Sequence, residues 1–368
     1  MKSVTALVLL FVFTTSAANP DAPGDHAIAM AEQRIATLVG EKKIPGLSVA
    51  VVVGGRVVWA EGFGLANVEQ GTPVRNDTRF RIGSISKPLT ATAVALLLEQ
   101  GKLGLDDSIS SYSRLFAGKG DDISVRHLLS HRSGIPHYSG DDFVQLTHYE
   151  SMADAVDKYW DKPLLFTPGS EFSYSSFGFN LLGAIIEQVS NTTFVDFIEQ
   201  QVTGPLDLAS IVPDRVESII PQRTTFYQRD SEGILLNAPM VNNSDLWPGG
   251  GYLSSATDLA RFGDAVINGD FLSPGILATL LDASANEERE SSPGYALGWN
   301  TGEVDGMRWV GHTGSHYGCM ANLRVFPQAG MAIATLANVN FEQYPGDGTV
   351  DQFYALADSI ATVFRRTN

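Results

Sequence analysis

The chain of 368 residues holds one cysteine, Cys319, so no disulfide can form within it and no cysteine is available for lipid attachment behind its N-terminal apolar run. Cys319 reads as a small buried hydrophobe. Basic residues are scarce: 25 Lys and Arg stand against 41 Asp and Glu, a net charge of −16. A surface of that sign repels nucleic acid and anionic membrane, so neither is expected as a partner. The acidic residues are dispersed, which makes them a solubility property. Long apolar runs are also missing. Val4 to Phe13 is too short to span a bilayer and none longer follows, so stable membrane insertion is not expected. There is neither internal repeat nor low-complexity tract.

Several motifs are absent or broken. No Gly-x-Ser-x-Gly occurs, which removes the nucleophile elbow of the α/β-hydrolases. Gly62-Phe-Gly64 lacks the third glycine of a dinucleotide loop. Gly249-Gly-Gly251 lacks the Lys-Ser/Thr of a phosphate loop and reads instead as permitting close packing near a site. His127 and His131 have zinc-like spacing, but Leu128 follows the first where a metalloprotease has its Glu. On a strand, His312 and His316 face one side and Cys319 the other. No metal and no organic cofactor are therefore expected.

What is present begins with a signal. Met1-Lys2, the apolar run and the small residues Thr15-Ser-Ala-Ala18 have the three regions of a secretory leader. Residues 1–18 are expected to be cleaved, leaving a secreted or periplasmic chain of about 350 residues. An amphipathic helix follows from Asp25 to Val39, with Gly40 as its stop. Leu47 to Val53 and Arg56 to Gly62, joined at Gly54-Gly55, read as a hairpin. After the apolar helix Leu89 to Gln100, strand signals vanish for over a hundred residues. Helices are expected from Ser124 to His131, Met152 to Trp160 and Phe177 to Val189, and Pro205 and Pro213 close the block.

Strands return at Tyr252 to Ser254, Tyr295 to Trp299, Met307 to His312, Gly318 to Phe326 and Met331 to Asn338. A helix from Thr257 to Asn268 lies among them, and Val350 to Arg365 ends the chain as another. Two strands alone are barely stable, so the N-terminal hairpin must join the C-terminal strands. The fold class is thus α/β: an antiparallel sheet flanked by helices, built from residues 19–100 and 216–368, with an all-helical insert over 101–215.

The chemistry centres on Arg81-Ile-Gly-Ser-Ile-Ser-Lys-Pro88. Pro88 is tolerated only near the start of a helix, which puts the helix N-terminus close to Ser84. Residues i and i+3 share a face, so the Lys87 amine can meet the Ser84 hydroxyl. The helix dipole and burial both disfavour the ammonium form of Lys87. Backbone N–H groups at the same terminus are suited to hold an oxyanion.

Three motifs read in order carry a resemblance: Ser84-Ile-Ser-Lys87, then Tyr174-Ser-Ser176 ahead of a helix, then His312-Thr-Gly314 at the end of a strand. Leu128-Leu-Ser-His-Arg-Ser-Gly-Ile-Pro136 and Pro168-Gly-Ser-Glu-Phe-Ser-Tyr174 agree with it. The chain resembles the serine β-lactamase and penicillin-binding-protein superfamily, in its class C β-lactamase, D-alanyl-D-alanine carboxypeptidase and esterase branch. The wording around Tyr174 and from Asn237 to Gly251 is similar to the β-lactamase-like serine proteases of animal mitochondria.

The resemblance implies that Ser84 is an acylated nucleophile, Lys87 its proton partner and Tyr174 a phenol serving as base and acid. Which of Lys87 and Tyr174 is the base stays open. It also implies an oxyanion hole from the backbone N–H groups of Ser84 and Ser315, and substrate contacts from Ser176, His312, Thr313 and Gly314.

Two positions depart from the commonest pattern. Ser176 stands where Asn is usual and lacks its amide donor, so β-lactam hydrolysis is expected to be poor. His312 replaces a Lys and is expected to be partly charged at neutral pH, favouring a substrate carboxylate under mild acid. The function implied is that of an exported serine hydrolase taking a small-molecule or peptide substrate, a peptidase or amidase for small or D-amino-acid-containing peptides. A carboxylesterase with weak β-lactamase activity is the alternative, and a non-catalytic sensor or filament-forming protein is the reading from another class.

Overall fold

The computed structural model describes residues 25–139, 142, 144–286, 294–340 and 348–365. The expected leader, residues 1–18, lies outside them. Strands β1 (Gly46–Val53), β2 (Arg56–Asn67), β3 (Thr72–Pro73), β4 (Gly294–Tyr295), β5 (Asn300–Val304), β6 (Met307–His316), β7 (Cys319–Phe326) and β8 (Met331–Ala337) form one sheet, ordered β3-β2-β1-β8-β7-β6-β5-β4. All its pairings are antiparallel. The N-terminal hairpin joins the C-terminal strands through β1 and β8, with Leu47 opposite Ala337 and Val53 opposite Met331.

Side-chain alternation divides the core between the two faces of this sheet. Leu47, Val49 and Val51 of β1 pack with helices α1 (Asp25–Lys42) and α2 (Thr349–Arg365). Ala50 and Val52 point the other way, into the core shared with α3 (Ser86–Glu99), α4 (Ser176–Ser190) and α5 (Ala256–Ile267). Between residues 101 and 211 the described residues form helices and turns, with one isolated bridge between Ser108 and Ser124. No helix among the described residues is long and apolar enough to cross a membrane.

Local chemistry explains where the elements differ from expectation. Helix α1 runs through Gly40 and ends before Lys43, whose left-handed φ of 50° makes the turn ahead of Pro45. The expected strand Tyr295 to Trp299 holds only at Tyr295. The chain then doubles back, with the Ala296 N–H donating to the Trp299 carbonyl at 2.8 Å. Gly298, at φ 84°, allows this, and a Cβ there would sit 2.5 Å from Ala91 Cβ of α3. Strand β5 was not expected, because Asn-Thr-Gly-Glu-Val shows no apolar alternation. Its signal is the turn Asp305-Gly306, both at positive φ (49° and 74°), the two-residue geometry that suits a right-twisted hairpin.

Strand β6 outruns its neighbour. β5 pairs with it only from Met307 to Gly311, whereas β7 pairs with it as far as His316. Among the described residues, the stretch His312 to His316 therefore has one edge without a partner strand, and that edge faces the cavity described next.

Candidate active site

Ser84 sits on a single 3-10 turn, Gly83–Ile85, that leads directly into α3. The turn is held from both sides: the Ser86 hydroxyl donates to the Gly83 carbonyl (2.9 Å) and accepts the Tyr252 N–H (3.3 Å). Two glycines bring it against β6. Gly83 has φ 49°, and a Cβ there would lie 2.8 Å from the Ser315 nitrogen. A Cβ on Gly314 would lie 2.0 Å from the Ile82 carbonyl oxygen. Ser84 and the Ser315 backbone are neighbours for that reason.

Lys87 is fully buried, yet no acidic side chain pairs with it among the described residues. Its Nζ meets three neutral oxygens: Ser84 Oγ at 3.1 Å, Ser176 Oγ at 2.9 Å and the Gly249 carbonyl at 2.7 Å. Burial with no compensating charge holds the amine well below the ordinary lysine range. A neutral amine has two N–H donors and one lone pair. The Gly249 carbonyl can only accept, whereas either serine hydroxyl can donate, so the Ser84 hydroxyl at 3.1 Å is within reach of the lone pair. The Gly249 turn is tied down in turn by Thr90, whose hydroxyl donates to the Pro248 carbonyl at 2.8 Å.

Tyr174 completes the group. Its hydroxyl is hydrogen-bonded to Ser84; burial makes the phenol a weaker acid than usual, and that hydrogen bond offsets the effect only in part. Lys87 Nζ lies 4.7 Å from the centre of its ring. The two expected residues ahead of α4 act on its terminus. Ser175 is the N-cap, accepting the Gly178 N–H at 3.0 Å, and Ser176 is the first helical residue.

A cavity of about 630 Å³ opens above Ser84, walled by Tyr138, Phe172, Tyr174, Tyr295, Tyr317 and Tyr354. Ser176, His312, Thr313 and Ser315 also line it, and Gly314 lies beneath the Ser84 turn.

The expectation for His312 needs correction. Its ring is buried, and desolvation pushes it down to about 3, so it carries no charge at neutral pH. Sequence reasoning did not anticipate its partners. The Ser175 N–H donates to His131 Nδ1 (3.1 Å), and His131 Nε2 meets Tyr295 Oη (2.9 Å). Tyr295 Oη meets His312 Nε2 (3.3 Å), and His312 Nδ1 meets the Thr313 carbonyl (2.5 Å). An N–H at one end and a C=O at the other give this chain one direction, from α4 to β6, with both histidines neutral.

His127, noted for its spacing to His131, instead completes the cap of the short helix Val125–Leu129, exchanging bonds with Ser124 at 3.2 Å each. His316 meets Asn243 Oδ1 at 2.8 Å; it stands directly opposite buried Cys319 across the β6–β7 turn, because the hairpin reverses the chain between them and undoes the expected separation of the two onto opposite faces. No group of three or more His, Cys, Asp or Glu able to hold a metal occurs among the described residues.

A sequence profile of the beta-lactamase family matches residues 31–356. The chain belongs to this family. Beta-lactamase-family relatives include the mitochondrial serine beta-lactamase-like protein LACTB of Homo sapiens, 30% identical over 397 residues, covering 82% of this chain and 72% of the relative. Penicillin-binding protein 4* of Bacillus subtilis is 29% identical over 297 residues, 76% of this chain and 62% of that protein. Among solved structures, the octameric penicillin-binding protein homologue from Pyrococcus abyssi superposes with a TM-score of 0.77 at 29% identity, covering 91% of this chain and 77% of its own. The D-amino acid amidase from Ochrobactrum anthropi SV3 gives a TM-score of 0.81 over 93% of this chain and 99% of its own, and at 20% identity it is similar in fold. The mixed fold and the family together make this a chain of the serine beta-lactamase-fold hydrolases.

Proposed function

We propose that the protein is an acyl-transferring serine hydrolase for amide bonds in small peptides, D-residues included, with Ser84 as nucleophile and Lys87 as base. The observation that carries this is the coordination of Lys87. A buried amine 3.1 Å from a serine hydroxyl is positioned to take its proton, and no acidic side chain among the described residues pairs with it to favour the ammonium form.

In acylation, Ser84 Oγ bonds to the substrate carbonyl carbon and its proton passes to Lys87. The backbone N–H groups of Ser84 and Ser315 hold the oxyanion. Tyr174, kept protonated by burial, gives its proton to the leaving nitrogen as the C–N bond breaks. This leaves a Lys87 ammonium beside a Tyr174 phenolate, an opposite-charge pair that steadies both groups. In deacylation, water gives a proton to the phenolate and adds to the acyl carbon, and Ser84 Oγ departs with the proton from Lys87. All three residues are restored.

The substrate would lie along the open edge of β6, where Thr313 and Gly314 present backbone to it as an added strand. Intact-protein mass spectrometry after a fluorophosphonate probe tests the proposal. One adduct on Ser84, absent from Ser84→Ala, is expected; an adduct persisting in the alanine variant contradicts it. We also propose cleavage of residues 1–18 on export, which N-terminal sequencing of the protein from its native source checks.

A further inference from the structure

The cavity above Ser84 is unusual in its charges. Among its described lining residues there is no Asp, Glu, Lys or Arg, and its ionisable side chains other than tyrosine are three histidines. Hydrogen-bond partners fix His137 and His312 in a neutral form, and burial holds His316 neutral as well. His137 Nδ1 accepts the Ser176 N–H at 3.1 Å, so it cannot hold a proton of its own. His312 accepts at Nε2 in the directed chain through Tyr295. The Asn243 amide nitrogen donates to Asp214 (2.9 Å), which leaves Asn243 Oδ1 to accept from His316 Nε2–H (2.8 Å).

Two basic side chains beside the Ser84 turn are committed elsewhere. Lys87 has three oxygen partners. Arg81 is spent on Asp214 (2.7 Å), the Tyr317 carbonyl (2.8 Å) and the face of Phe226. A carboxylate entering this cavity would lose its hydration and meet no positive partner among the described lining residues. The net charge of −16 opposes its approach as well. Aromatic rings, by contrast, supply apolar area and ring edges for an uncharged guest.

We propose that this cavity takes uncharged acyl compounds with an aromatic or bulky apolar side chain, such as N-acylated amino-acid amides and esters, and rejects those that present a carboxylate beside the scissile bond. His312, held neutral through Tyr295, is the specificity-determining residue. The proposal rests on the hydrolase reading for its chemistry, but its test does not need turnover.

The test is calorimetric binding of N-acetylphenylalanine amide and N-acetylphenylalanine, in L and D forms, to the Ser84→Ala protein. The amide of at least one enantiomer should bind at least about tenfold tighter than the corresponding acid, the scale set by one unpaired buried charge. In the Ser84→Ala, His312→Lys protein the gap should close or reverse. If that double variant does not fold, the ratio in Ser84→Ala decides alone. Equal affinities, a tighter acid, or no saturable binding of either amide overturns the proposal. Phosphonate labelling of the unmodified protein reports separately on whether Ser84 is the nucleophile.

Discussion

Two buried basic side chains lie on either side of the Ser84 turn, and they are treated in opposite ways. Arg81, three residues before Ser84, meets Asp214 at 2.7 Å, and Arg223 reaches the other carboxylate oxygen at 3.3 Å. Lys87, three residues after it, meets only neutral oxygens. A paired guanidinium keeps its charge at every pH the protein meets, so it can fix structure but cannot move a proton. An unpaired buried amine is forced toward its neutral form and becomes a base. The same contrast recurs at Lys158, which pairs with buried Asp245 at 2.6 Å beneath the cavity wall. Charge is paired where the fold needs a fixed brace and left unpaired where the chemistry needs a proton acceptor.

The sharpest way to break this comparison is to exchange the roles. Lys87→Met should lower kcat/KM by at least about a thousandfold, because the serine loses its base. It should leave the thermal midpoint within a few degrees, since an apolar side chain replaces a desolvated amine at little cost. Activity assays and calorimetry on one preparation check both. Asp214→Ala should do the reverse, removing about 3 kcal/mol of stability by leaving Arg81 unpaired, with turnover per folded molecule in the cold changed much less. A denaturant titration measures this, and an unchanged midpoint would refute the bracing role.

The neutral histidines sharpen it further. Burial holds His137 near 4 and both His312 and His316 near 3, below the ordinary histidine range. In the window from about 6.5 down to those values the unfolded chain binds more protons, so stability falls as pH falls. Each such histidine adds at most about 1.4 kcal/mol per pH unit to that slope. His137→Asn, which keeps an acceptor for the Ser176 N–H, should lower the slope by one proton between pH 6.5 and 4. The smallest effect is expected at Ser176→Ala, which removes one neutral partner of Lys87 and should cost about tenfold in kcat/KM.

Much of this was legible in the sequence because it is local. Ser84, Lys87 and Pro88 lie within one helical turn, so their spacing alone places the amine beside the hydroxyl. The hairpin at Gly54-Gly55 and the sheet it joins follow from apolar alternation and turn glycines. What escaped depends on residues far apart in the chain. The link from His131 through Tyr295 to His312 joins three segments that no periodicity relates, and Tyr295 sits in a two-residue strand. The partial charge expected of His312 is that of an exposed ring, and burial, which the sequence does not show, removes it. Gly249 reads in the sequence as a packing glycine. A Cβ there would sit 3.1 Å from Ser176, which bears that reading out, while its carbonyl as a partner of Lys87 had no sequence signal.

The central claim is that Lys87 rests as a neutral amine, and a direct reading of its protonation tests it most closely. Protein carrying lysine labelled with carbon-13 at Cε can be titrated by NMR, with Lys87→Met identifying the signal. The account predicts one lysine whose midpoint lies well below the rest and whose loss of a proton coincides with the acid limb of kcat/KM. A Lys87 signal that stays in the ammonium form up to the ordinary midpoint near ~10.4 would contradict it.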